Sequence, residues 1–325
     1  MSGAPDRRRD VRVHVATPGA PDREVASADV VGPSWNEANE TVKVAFEDGG
    51  VAYLKCAVDG DGDRLERARA ATAYVDARRD VAAPTVLAGD VDREVPYLAT
   101  APLDGRPLWV PWDDADRAGR AALSERVGRT LADLHADRFE AHGRIVGGGA
   151  DGLDLRTGSW TDVLAATVGE MRELAPSDRY ESQFGAVREV VEAERGQLDG
   201  APAALLHGDP AAPNFLVTDE RVGGVDWERA HVGDPARDLY RARDQLIEPT
   251  RGSADERLVE ALHAGYRERA GGLPAGLEDR RPVYRLVRLL GVSGFFERHV
   301  EAREESTAEL ADWLEAAFDR RLAAI

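Results

Sequence analysis

The 325 residues carry 42 basic and 60 acidic side chains, a formal net charge of −18, and 43% of them are hydrophobic. No uninterrupted apolar run reaches about 18 residues, so a membrane span is excluded and enough apolar material remains for a sizeable core in one or two domains. The diffuse acidic excess repels a polyanion, which argues against nucleic-acid binding as a main role.

The first residues hold charge but no apolar stretch before a small-residue cleavage site, so no secretory signal is expected and the cytoplasm is the expected compartment. Cys56 is the single cysteine, which leaves no intramolecular disulfide and no CxxC metal pair, and the seven histidines form no HExxH motif. The acidity has two readings, a field that attracts a cationic substrate and a solvated surface suited to a salt-rich cytoplasm. Two lysines against 40 arginines, beside abundant Asp and Ala, favour the second, a halophilic composition.

In chain order, positions 1–24 read as a polar N-terminal extension. Val42, Val44 and Phe46 alternate with polar or small residues, Glu47-Asp48-Gly49-Gly50 supplies a turn, and VAYLKCAV follows, which predicts a β-hairpin. Leu65, Ala68, Thr72 and Val75 share a face of one amphipathic helix over Asp63–Arg79. Val81–Ala88 and Val95–Ala101 read as strands around a turn at Gly89-Asp90. Beyond 107 helical periods dominate, at Ala118–His135, Trp160–Leu174, Phe184–Gln197, Glu256–Arg269, Arg281–His299 and Thr307–Leu322, and a small β-element interrupts them over Ala204–Val232. The predicted division is an N-terminal lobe at 25–101 and a larger α-rich lobe at 102–325.

The chemistry concentrates in Leu206-His207-Gly208-Asp209-Pro210-Ala211-Ala212-Pro213-Asn214. Asp209 and Asn214 stand five apart, the Asp-to-Asn offset of a protein-kinase catalytic loop, and Asp226 follows twelve residues later in Val225-Asp226-Trp227-Glu228. A loop carboxylate such as Asp209 can orient a hydroxyl and accept its proton. Asn214 and Asp226 are the hard oxygen ligands that Mg2+ takes when it also bridges phosphates. Lys55 lies on the strand where such a site needs a lysine for the α- and β-phosphates, and Glu66 is the expected helix partner, with Asp63 its competitor in sequence. A phosphate-covering turn is expected over Val31–Asn39, although it holds one clear glycine, Gly32. His135 and Trp160 read as packing residues and Cys56 as a buried small hydrophobe.

These motifs, together with Gly233-Asp234-Pro235 and Asp238-Leu239, resemble the aminoglycoside phosphotransferase family, within the protein-kinase-like fold that also includes choline, fructosamine and homoserine kinases. The resemblance spans roughly residues 25–300. It implies an α+β, bilobal protein-kinase-like fold with a small β-rich lobe bearing one helix and a larger helical lobe. It also implies an ATP- and Mg2+-dependent phosphotransferase acting on a small-molecule hydroxyl acceptor. Asp209 would be the catalytic base, Asn214 and Asp226 the metal ligands, Lys55 the phosphate contact and Glu66 its ion-pair partner. Leu98, Ala99, Thr100 and Ala101 would read adenine as the hinge. His207, Asp234 and Asp238 would brace the loop and the large lobe. The alternative is a catalytically silent nucleotide-binding module on the same fold. Aminoglycosides, sugars and amino alcohols all stand as acceptors.

Overall fold

A computed structural model describes residues 23–32, 38–219, 221–248, 253–302 and 306–325. The expected N-terminal extension up to residue 22 and positions 33–37 of the expected phosphate-covering turn lie outside the described residues. The elements follow as β1 (Val25–Val30), β2 (Asn39–Phe46), β3 (Val51–Ala57), α1 (Asp63–Arg78), β4 (Val86–Asp90), β5 (Tyr97–Thr100), β6 (Arg106–Pro107), α2 (Trp109–Asp114), α3 (Arg117–Leu134), β7 (His142–Gly149) and β8 (Gly152–Gly158). Next come α4 (Trp160–Glu173), α5 (Glu181–Ala193), α6 (Arg195–Leu198), β9 (Ala204–Leu206), β10 (Phe215–Val217), β11 (Val222–Gly224) and β12 (His231–Gly233). The chain finishes with α7 (Pro235–Leu246), α8 (Glu256–Ala270), α9 (Leu277–Gly294), α10 (Phe296–Glu301) and α11 (Thr307–Leu322). It is a mixed α and β protein, β-rich in its N-terminal part and helical in its C-terminal part.

The chain divides into two compact units, and each is discontinuous in sequence. One comprises Met1–Asp114, Ile145–Leu155 and Ala212–Ala230; the other comprises Ala115–Arg144, Arg156–Ala211 and His231–Ile325. A boundary at 101/102 treats the chain as two contiguous pieces, whereas Asn214 and Asp226 group with the smaller unit.

In the smaller unit the antiparallel order is β1-β2-β3-β5-β4. The β2–β3 hairpin turns at Gly49, whose φ of 83° suits a residue without Cβ. Alternation then sends Val42, Val44, Leu54, Cys56, Tyr97 and Ala99 into one core, and Ala57 and Leu98 pack with Leu65 and Ala68 of α1 in another. A second small sheet, β11-β10-β6, is built on the hairpin inside the 212–230 segment.

Three departures from the sequence reading have local causes. The strand expected over Val81–Ala88 forms instead at Val86–Asp90, because Gly89 and Asp90 pair with Leu98 and Tyr97 in the ladder and the turn moves beyond them. The β7–β8 hairpin falls between the expected helices Ala118–His135 and Trp160–Leu174, where no strand was expected; its Gly147-Gly148-Gly149 run disfavours a helix, and Gly148 has φ 104°. Helix α7 was not anticipated, although its start has the expected signals: the Asp234 side chain accepts the Ala236 N–H, and Pro235 stands at the first turn.

In the larger unit α3 and α8 pack at very close range. A Cβ on Gly128 would lie 2.0 Å from the Leu262 carbonyl oxygen, and one on Gly265 would lie 1.9 Å from that of Glu125. Each helix thus presents a glycine to the other's backbone. Among the described residues no helix is long and apolar enough to cross a membrane.

Candidate active site

Strand β3 sets Lys55 opposite Thr41 on β2 and Leu98 on β5, while Cys56 points into the core at 2% exposure. The Lys55 ammonium lies 2.5 Å from Asp226 Oδ1 and 2.7 Å from Glu228 Oε2. Burial alone would lower the Lys55 pKa, but the two carboxylates more than offset it and raise the pKa above lysine's ordinary value. Glu228 is buried; its carboxylate also accepts from Asn39 Nδ2 at 2.7 Å, and its carbonyl accepts from Arg67 Nη1 at 3.1 Å.

The partner expected for Lys55 was Glu66. Instead Glu66 forms a two-pronged ion pair with Arg69 one turn along α1, and Arg69 also donates to the Gly148 carbonyl on the β7–β8 hairpin. An i,i+3 arginine on the same helix face satisfies Glu66 locally, and Glu228 takes its place beside the lysine. Glu228 carried no assigned role in the sequence reading, and Asn39 and Arg67 went unnoticed there. The acidic pair Asp226 and Glu228, two apart in VDWE, was the available signal.

Asn214 and Asp226 are brought together by one hairpin. Asn214 immediately precedes β10 and Asp226 follows β11 by two residues, and the Asn214 carbonyl accepts the Val225 N–H at 2.9 Å. Asp226 has φ 66°, ψ 60°, and it is the residue other than glycine held in the left-handed region among the described residues. A short polar side chain tolerates that conformation at a modest energetic cost, as functional turns often require.

The hinge expectation needs revision. Leu98 and Ala99 lie inside the sheet, between β3 on one edge and β4 on the other, and Ala101 N–H donates to the Thr85 carbonyl. Strand pairing thus occupies both backbone edges of Leu98, Ala99 and Thr100, and the Ala101 N–H is taken as well.

In the larger unit the HGD loop leaves β9. His207 is fully buried and Gly208 turns at φ 79°. The Asp238 carboxylate, on α7, accepts the His207 N–H at 2.6 Å and the Gly208 N–H at 3.1 Å. His135 stands behind it, with Nε2 3.6 Å from Asp238 Oδ2 and Nδ1 3.1 Å from the Tyr266 hydroxyl. His207 Nδ1 accepts the Asp209 N–H at 3.3 Å. Asp209 itself receives both Nε and Nη2 of Arg241 on Oδ1, at 2.9 and 2.6 Å. Arg241 sits three residues after Asp238, so a single face of α7 fixes both the loop backbone and the Asp209 side chain. Sequence reading missed Arg241, for which the i,i+3 spacing from Asp238 was the one available sign.

Below the loop, Asp234 is fully buried and bonded to Arg280 at 2.7 Å and to the Tyr284 hydroxyl at 2.5 Å, and Tyr284 accepts from Trp160 Nε1 at 2.8 Å. Trp160 and His135 are therefore packing residues, and Asp234 and Asp238 brace the unit.

Residues 29–272 match the profile of the phosphotransferase enzyme family. No curated protein matches the chain. Solved structures share the fold. The macrolide 2'-phosphotransferase MphH of Brachybacterium faecium is 23% identical, with a TM-score of 0.59 over 96% of this chain and 98% of that one. The choline kinase LicA of Streptococcus pneumoniae is 14% identical, with a TM-score of 0.61 over 98% and 99%. The aminoglycoside phosphotransferase APH(4)-Ia is 15% identical, with a TM-score of 0.60 over 97% of each chain. With the family profile covering most of its length, this chain belongs to the phosphotransferase enzyme family.

Proposed function

We propose that the chain is an ATP- and Mg2+-dependent kinase that phosphorylates a hydroxyl of a small acceptor: an amino sugar, a sugar or an amino alcohol. The observation that carries this reading is the gathering of Lys55, Asp226 and Glu228 at 2.5–2.7 Å beside Asn214, a cation and oxygen ligands with no purpose in a sheet edge alone. A structure of an APH(4)-Ia variant holding ADP and hygromycin B supports a nucleotide and a small-molecule acceptor for the fold.

The donor set fits Mg2+. Asn214 and Asp226 offer one neutral and one charged oxygen, and among the described residues no group of three or more His, Cys, Asp and Glu could form an all-protein cage. Two protein ligands suit an ion that keeps its remaining positions for water and phosphate. When bound, Mg·ATP supplies the transferable phosphoryl group and neutralises charge as it moves.

The chain's own residues then have distinct tasks. Lys55 provides positive charge for the phosphates, and Glu228, held by Asn39, keeps that ammonium in place. Asp209 orients the acceptor hydroxyl and takes its proton on a carboxylate oxygen, while Arg241 restricts the rotamers from which it does so. Catalysis of this kind rests on positioning and electrostatic stabilisation.

A coupled ATP-consumption assay over a panel of antibiotics, sugars and amino alcohols tests the reading. Turnover of one acceptor class is expected, with a loss of at least about a hundredfold in kcat for Asp209→Asn. Full activity in that variant would refute the base assignment. Tight Mg·ATP binding with no turnover of any acceptor would instead favour the silent module.

A further inference from the structure

Apart from these residues, the larger unit holds a cavity of about 470 Å3 against α9 and α11, a size typical of small-molecule sites. Arg281, Arg285, Arg320 and Arg321 line it together with Glu248, Glu278 and Trp313. Their charges do not cancel. Arg281 pairs with Glu278 at 2.8 Å and Arg285 with Glu248 at 3.5 Å, which leaves Arg320 and Arg321.

Arg321 donates to the Arg285 carbonyl at 2.6 Å, a neutral acceptor, and neither Arg320 nor Arg321 has a carboxylate within ion-pairing reach among the described residues. Three more groups beside it are buried without a hydrogen-bond partner: Arg285 Nε, the Tyr240 hydroxyl and Glu248 Oε2. Burial lowers the Arg321 pKa and the neighbouring Arg285 guanidinium pushes the same way, while Tyr240, Asp244 and Glu248 pull upward without restoring the ordinary value. A partly desolvated cation that no carboxylate contacts directly is costly, and an anion seated against it relieves that cost.

We propose that this cavity binds a phosphomonoester carried on an apolar or aromatic body. The two uncompensated guanidiniums match the charge of about −1.5 to −2 that such a group carries at pH 7. Their planar forks suit phosphate oxygens, and Trp313, Pro282 and Ala317 form an apolar wall for the body of the ligand. Because the whole chain carries −18, long-range attraction does not bring an anion here, and recognition rests on the short-range contacts.

Phenyl phosphate is the probe, titrated by calorimetry in a constant chloride background so that ionic strength does not change. Saturable binding of one equivalent is expected, at least tenfold tighter than benzenesulfonate, which carries one charge. Arg321→Gln should weaken it at least tenfold. Arg320 is exposed, so Arg320→Gln tests the site without threatening the fold and should weaken binding several-fold. Asp226→Ala should leave binding unchanged, which separates this site from the proposed nucleotide site and makes the result independent of the kinase reading. Binding lost in Asp226→Ala, binding unaffected by Arg320→Gln, or no preference over benzenesulfonate would each overturn the proposal.

Discussion

Asp238 is a fully buried carboxylate that stays ionised. Burial pushes its pKa upward, but His135, with Nε2 3.6 Å from the carboxylate, and then His207 and Arg237 pull further the other way, and the net shift is downward. The neutral imidazole of His142 shows the complementary case: burial lowers its pKa, and the charge of Asp234 opposes this without cancelling it. His263 is lowered too, first by burial and then by Arg243 and Arg267. A histidine with a depressed folded pKa contributes stability above its unfolded value of about 6.5, and that contribution is lost as pH falls below it. The urea midpoint should therefore decline between pH 7.5 and 5.5, before the carboxylates titrate, and His142→Gln should flatten part of the decline. A midpoint that stays level across this window would contradict a buried, uncharged His142.

At the level of elements, the helices α3 and α8 show what patterning reveals and what it hides. Apolar spacing placed α3 at Ala118–His135, one residue from its observed Arg117–Leu134, and placed the β2–β3 hairpin and α1 as well, because each buries one face with a regular period. The crossing of α3 and α8 was not legible, since a glycine in a helix looks like a weak helix former until its partner helix is known. Gly265→Ala should cost about 2 kcal/mol or more in urea denaturation, even though alanine favours a helix by about 1 kcal/mol. A neutral or stabilising effect would mean that the helices can part without penalty. The candidate site was legible to a similar degree. Asp209, Asn214, Asp226 and Lys55 announced themselves by type and spacing, whereas Arg241, Asn39 and the exchange of Glu66 for Glu228 depend on which side chain reaches furthest across folded elements.

For the molecule as a whole, the excess of acid is met on the surface by arginine-centred pairs such as Arg23–Asp48, Arg117–Asp255 and Arg195 with Asp162 and Glu192. Exposed pairs of this kind each contribute about 0–1 kcal/mol, and salt weakens them, while the net repulsion of −18 charges is relieved by the same screening. Melting temperature should therefore rise as KCl increases from 0.1 to 2 M. A steady fall would show that the pairs outweigh the repulsion and would leave the acidity without a role in salt tolerance. The two lysines have a consequence of another kind. Acetylation, methylation and ubiquitination act on lysine amines, and this surface offers them Lys43 on the exposed side of β2, while Lys55 is enclosed by its carboxylates. A protein built almost wholly on arginine has set its activity largely beyond the reach of side-chain amine modification, so control over it falls to ligands, salt and abundance.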